Sequence, residues 1–114
     1  MTGGGKAFLD TNLFVYALDQ RDREKQERCL ELIAAVGHNA VASTQVMQEL
    51  FSAALRKLSL TPYMAKAVVQ QLYCFEIVQV SPAIIERAMD CVLLYSISFW
   101  DALLVRCASA ANCS

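Results

Sequence analysis

No apolar run in the chain approaches the roughly 18 residues that a membrane-spanning helix needs, so the sequence offers no transmembrane segment. The N-terminus also lacks the basic flank and apolar core of a secretory signal. The expectation is a cytoplasmic protein with no membrane partner. Histidine occurs once, as His38, with no cysteine at ligand spacing, which leaves a zinc site without support. The five cysteines (Cys29, Cys74, Cys91, Cys107, Cys113) are odd in number and form no C-x-x-C pair. Most fall on apolar faces of predicted helices and read as buried thiols. Net charge is −1, so no global field draws in nucleic acid, and a nucleic-acid substrate must be met by local patches. Repeats, low-complexity tracts and interdomain linkers are missing too.

What the chain does have is apolar surface. Apolar residues make up 56% of 114, against roughly 45–50% in ordinary globular domains. The length suits a single domain, and the excess predicts surface covered by a partner or by further chain. Residues 1–6, rich in glycine, read as a flexible leader and residues 7–114 as the domain.

Ala7-Phe8-Leu9 reads as a buried strand that ends abruptly in Asp10-Thr11-Asn12. Leu13 to Leu18 begins a short helix, and Asp22 to Val36 a longer one with Cys29, Leu32, Ile33 and Val36 inward. Gly37 suits the left-handed stop, and Asn39 a turn. Ala40-Val41-Ala42-Ser43 is a second buried strand. Ser43 or Thr44 then caps a helix to about Leu58, striped by Met47, Leu50, Phe51, Ala54 and Leu58. Thr61-Pro62 and Ser81-Pro82 each open a further helix, proline standing at the first helical position. Between them Glu76 to Val80 is a third strand, rich in β-branched residues. The second of these helices turns Ile85, Ala88, Met89 and Val92 inward. Ser98 caps the last helix, which runs to about Ala111, with Asn112 as its stop. Strands alternating with helices indicate an α/β fold with a parallel sheet and right-handed crossovers. A further strand is expected to start at Cys113-Ser114.

Three acids share one topological position despite their separation in sequence. Asp10 follows the first strand, Glu49 lies in the first turns after the second, and Asp101 sits in the first turn of the last helix. Open α/β sheets place ligands at this carboxyl rim. Carboxylates gathered there repel one another unless a cation neutralises them, and hard oxygen donors suit Mg²⁺ or Mn²⁺. Such a metal activates water and stabilises phosphoryl displacement. Each acid also has a plainer reading. Ser98-x-x-Asp101 is a capping box, Glu49 a solvated helix residue, and Thr11 and Asn12 caps of the next helix. A phosphatase with Asp10 as nucleophile would want a second aspartate where Asn12 stands.

Phe8-Leu9-Asp10-Thr11-Asn12, Ser43 to Leu50 and Ser98-Phe99-Trp100-Asp101-Ala102-Leu103 together resemble the PIN-domain family, and within it the VapC-type toxins of bacterial toxin–antitoxin pairs. The resemblance implies a three-layer α/β/α PIN-like fold with a central parallel sheet. It also implies a Mg²⁺- or Mn²⁺-dependent endoribonuclease, the toxin of a type II pair. Asp10, Glu49 and Asp101 match the family's metal-binding catalytic acids, and Thr11 and Asn12 the polar positions that flank the first. The implied partners are RNA, a cognate antitoxin and a second copy in a homodimer. The family continues after the last helix with a strand carrying a fourth acid, for which this sequence has no residue. The alternative is therefore a catalytically impaired PIN module that acts by binding an antitoxin or itself. Arg56 and Lys57 are candidates for phosphate contact, as are Arg21, Arg23 and Arg106. Trp100 is a candidate for stacking on a base, or else for core or dimer packing.

Overall fold

Three short parallel strands carry the fold in the computed structural model, which describes residues 5–113. They are β1 (Ala7–Phe8), β2 (Ala40–Ser43) and β3 (Glu76–Val78), in the spatial order β1-β2-β3. Ala7 pairs with Ala40 and Phe8 with Val41. On the other edge of β2, Val41, Ala42 and Ser43 pair with Glu76, Ile77 and Val78. All of β2 is buried, which is why its sequence shows no polar alternation.

Six α-helices among the described residues cover the sheet. Between β1 and β2 run α1 (Thr11–Leu18) and α2 (Arg23–Val36). Between β2 and β3 run α3 (Thr44–Arg56) and α4 (Pro62–Gln70). After β3 come α5 (Pro82–Tyr95) and α6 (Phe99–Ala110). Local chemistry fixes most of the starts. Asp10, Asp22, Ser43, Thr61, Ser81 and Ser98 each accept a hydrogen bond from a backbone N–H of the first turn. Gly37 ends α2 with a φ of 58°, a positive value glycine tolerates, although its ψ of −133° lies outside the left-handed helical well. Asn112, at φ 59°, follows α6 in the left-handed region.

The two crossovers from β1 to β2 and from β2 to β3 advance in the same direction. Right-handed connections therefore keep α1–α4 on one face. That face buries Leu9, Phe14, Val15, Ala42, Val46, Leu50 and Leu72 in one core. The chain then crosses to the other face, where Ile84, Ala88 and Cys91 of α5 meet Ala102, Leu103 and Cys107 of α6. Phe8 packs against both cores. The result is three layers, α/β/α. Burial pushes the Cys107 thiol above its ordinary pKa, which keeps it neutral in the core. Cys29, Cys91 and Cys107 are buried as expected, whereas Cys74 is exposed.

Cys113 forms a parallel bridge with Lys6, so pairing begins on the edge of β1 that β2 leaves open. This is where the sequence predicts a further strand to start. Of the stretch read as a leader, residues 1–4 lie outside the described residues, as does Ser114. Lys6 is held by this bridge and by an ion pair with Glu76 at 2.9 Å.

Several faces differ from expectation. Leu32 and Met89 are exposed, and Phe51 lies at the surface. On α5 Ala88 is buried and Ile85 and Val92 pack against the same core as predicted, while Ile84 and Cys91 join them in place of Met89 because α5 packs chiefly on α6. β3 stops at Val78 rather than Val80, whose N–H leaves the ladder and donates to Thr44 Oγ1 at 3.0 Å. Among the described residues no helix is long and apolar enough to cross a membrane.

Candidate active site

The chain moves one way across the sheet from β1 to β3, then returns beyond β1 to the Lys6–Cys113 bridge. The carboxyl end of β1 is therefore a topological switch point. There the helices of the two faces diverge and open a crevice. Asp10 stands at that point, directly after Leu9, whose N–H donates to Val41 O at 2.9 Å. A short strand followed at once by a capped helix leaves its carboxylate at the rim rather than under it.

One cleft at this rim is lined by Asp10, Thr11, Asn12, Gln45, Glu49, Trp100, Asp101 and Leu104. The three acids singled out in sequence thus share a wall-to-wall crevice formed by α1, α3 and α6. All three are exposed. Asp10 accepts a hydrogen bond from Leu13 N at 3.2 Å, so it is the acid itself, rather than Thr11 or Asn12, that caps α1. The Thr11 hydroxyl instead donates to Glu49 Oε1 at 2.9 Å. Ser98 Oγ accepts from Asp101 N at 3.1 Å. That is half of a capping box. Among the described residues the Asp101 carboxylate makes no return bond, and none of the three acids forms an ion pair.

Among the described residues no three His, Cys, Asp or Glu side chains are gathered tightly enough to enclose a metal ion. The donor chemistry nonetheless fits a hard dication. Three carboxylates and the amides of Asn12 and Gln45 line the cleft, with no sulfur or imidazole among them. An open set of this kind suits Mg²⁺, which keeps several waters and takes only one or two carboxylates directly.

Trp100 is 64% exposed at the cleft and meets Phe99 edge-on, with ring centroids 5.2 Å apart. Core packing of Trp100 is thereby ruled out. Arg56 and Lys57 are not in the acid cleft but in an adjoining one, which shares Thr11, Asn12 and Glu49 with it. Arg21 is tied to Asp19 at 2.9 Å, and Arg106 donates to Cys91 Sγ at 3.1 Å; neither lines the acid cleft or the adjoining one. Gln45 and Leu104 line the cleft without having been singled out in sequence. Gln45 lies four residues before Glu49, and that helical spacing is the signal that would have found it.

A family model described as PIN domain matches residues 7–114. Among solved structures the fold is similar to VapC20 of Mycobacterium tuberculosis, a sarcin–ricin-loop-cleaving toxin. The TM-score is 0.77 at 16% identity, over 93% of this chain and 83% of that one. It is also similar to a toxin–antitoxin complex from Klebsiella pneumoniae, with TM-score 0.72, 19% identity, and 96% and 82% coverage. A third is VapBC2 of Rickettsia felis bound to a DNA fragment from their promoter, with TM-score 0.63, 22% identity, and 93% and 82% coverage. At these identities the likeness is one of fold. No curated protein matches the chain in sequence.

Proposed function

Because the chain belongs to the PIN-domain family, we propose that it is a metal-dependent endoribonuclease and the toxin of a bacterial type II toxin–antitoxin pair. The observation that carries this reading is the convergence of Asp10, Glu49 and Asp101 on one cleft at the switch point. A Mg²⁺ or Mn²⁺ ion held by these carboxylates would supply an activated water and neutralise charge at the phosphodiester. The residues themselves have separable tasks. Asp10, fixed by its bond to Leu13 N, offers an oriented carboxylate. Thr11 holds Glu49 in place through its hydroxyl, and Asn12 supplies an amide beside them. Asp101, with its carboxylate free among the described residues, faces them from α6. Trp100 offers a ring on which a base can stack.

The test is incubation of the protein with RNA in Mg²⁺, in Mn²⁺ and in EDTA. Cleavage in either metal and none in EDTA is expected. RNA left intact in all three would contradict the reading.

A second reading is a protein-binding module that engages an antitoxin or a second copy. It is favoured by the apolar surface around the end of α5, where Leu93 is 81% and Leu94 72% exposed, with Tyr95 beside them. Apolar patches of this kind mark interaction surfaces. Sedimentation and binding measurements decide it. A monomer with no affinity for a co-encoded partner would count against it.

A further inference from the structure

The face of α3 that carries Glu49 does not stop at the acids. Gln45, Glu49, Ser52 and Arg56 follow one another at four-, three- and four-residue spacings, which lines them along one side of the helix with Ala53 beside Ser52. Gln45 and Glu49 face the acid cleft. Glu49, Ser52, Ala53 and Arg56 face the adjoining cleft, opposite Thr11, Asn12 and Val15 of α1 and beside Lys57. The two clefts share Thr11, Asn12 and Glu49, so they form one groove between α1 and α3.

Its ends differ in charge. Carboxylates stand at one, while Arg56 and Lys57 stand exposed at the other, and among the described residues neither cation is paired with an acid. The helix rise puts Arg56 about 10 Å along the axis from Glu49, about the reach of two nucleotides of an extended strand. A polyanion cannot be held by carboxylates, and with a net charge of −1 the chain as a whole gives no attraction. Attraction must come from cations close to the site and free to meet phosphate. Arg56 and Lys57 line this groove, whereas Arg21, Arg23, Arg28 and Arg106 are not among the residues that line it.

We propose that the α1–α3 groove is a backbone track for single-stranded RNA, in which Arg56, with Lys57 beside it, holds a phosphate about two nucleotides from the one lying at the acids. The proposal rests on the ribonuclease reading and names how that site receives its substrate. Between the charged ends, Asn12, Gln48 and Ser52 offer hydrogen bonds to sugar and base edges, over a floor that includes Val15 and Ala53. Arg56 also lies in the last turn of α3, where a cation favours the helix dipole. That role would affect melting and leave RNA affinity alone, so the two are separable.

The experiment is fluorescence anisotropy with a labelled single-stranded RNA of about ten nucleotides in EDTA, across roughly 50–200 mM salt. Arg56→Gln and Lys57→Gln are compared with wild type and with Arg87→Gln, which removes the same charge from exposed α5 outside the groove. Melting curves confirm that each variant is folded, and cleavage is scored in parallel in Mn²⁺. Arg56→Gln should weaken binding about three- to tenfold and flatten the log–log salt slope by about 0.7, while Arg87→Gln stays at wild type. The track is overturned if Arg56→Gln and Lys57→Gln keep wild-type affinity and slope, if Arg87→Gln loses as much, or if wild type does not bind. Cleavage by wild type with unaltered Arg56→Gln binding sinks the track alone. Weakened Arg56→Gln binding with no cleavage by wild type upholds the track and sinks hydrolysis.

Discussion

The Thr11 hydroxyl donates to Glu49 Oε1 over 2.9 Å, linking the first residue of α1 to α3 across 38 positions of sequence. The bond fixes one acid against the residue that follows another. Thr11→Val keeps the shape and removes the donor. Stability should fall by about 1 kcal/mol or less, whereas under the proposed function RNA cleavage should fall roughly tenfold, the loss expected when a residue that orients a metal ligand is removed. Thr11→Ser should restore most of the rate. Initial cleavage rates and thermal melts on the three proteins check this.

Asp10 does two things at once, and substitution can separate them. It caps α1 through Leu13 N. Asparagine caps as well as aspartate, so Asp10→Asn should melt with wild type. Asp10→Ala should lose about 1 kcal/mol. Chemical denaturation of both variants measures the difference.

Ser96 ends α5 at φ 54° and ψ 34°, a left-handed conformation that serine adopts at a cost. Its N–H donates to Val92 O at 3.1 Å, which holds it there. Ser96→Gly should raise stability by about 1 kcal/mol, since glycine is at ease in that conformation. A shift of the denaturation midpoint to lower denaturant would contradict it.

The Arg21 guanidinium, hydrogen-bonded to Asp19 at 2.9 and 3.0 Å, holds that carboxyl below its ordinary value, helped by the Arg21 N–H. A folded value lower than the unfolded one contributes stability above the unfolded pKa and loses it as pH falls through the folded one. NMR titration should find Asp19 titrating below a typical aspartate, and Arg21→Gln should move it back up. No movement would remove the guanidinium as the cause.

Helix starts were legible in the sequence because capping is a matter of a few adjacent residues. Ser43, Thr61-Pro62, Ser81-Pro82 and Ser98 all begin helices where their chemistry predicts. β2 was legible as a short apolar run between turn residues, and its burial follows from its central place in the sheet. On α5 periodicity found Ile85, Ala88 and Val92 but not Ile84 and Cys91, whose burial depends on α6, a neighbour that periodicity cannot name. At the site, three acids at one rim could be read from topology, and the structure gathers them at one cleft. Which residue caps α1 and which acid Thr11 meets could not. Asp10, Thr11 and Asn12 are all good caps, and only the folded backbone selects among them.

Under the proposed function, RNA hydrolysis requires the Asp10 carboxylate and not its cap. Cleavage of RNA in Mn²⁺ by wild type and by Asp10→Asn, matched in melting temperature, tests it most directly. Wild type should cleave, and Asp10→Asn should lose at least about a hundredfold in rate. Equal cleavage by two equally stable proteins would contradict it.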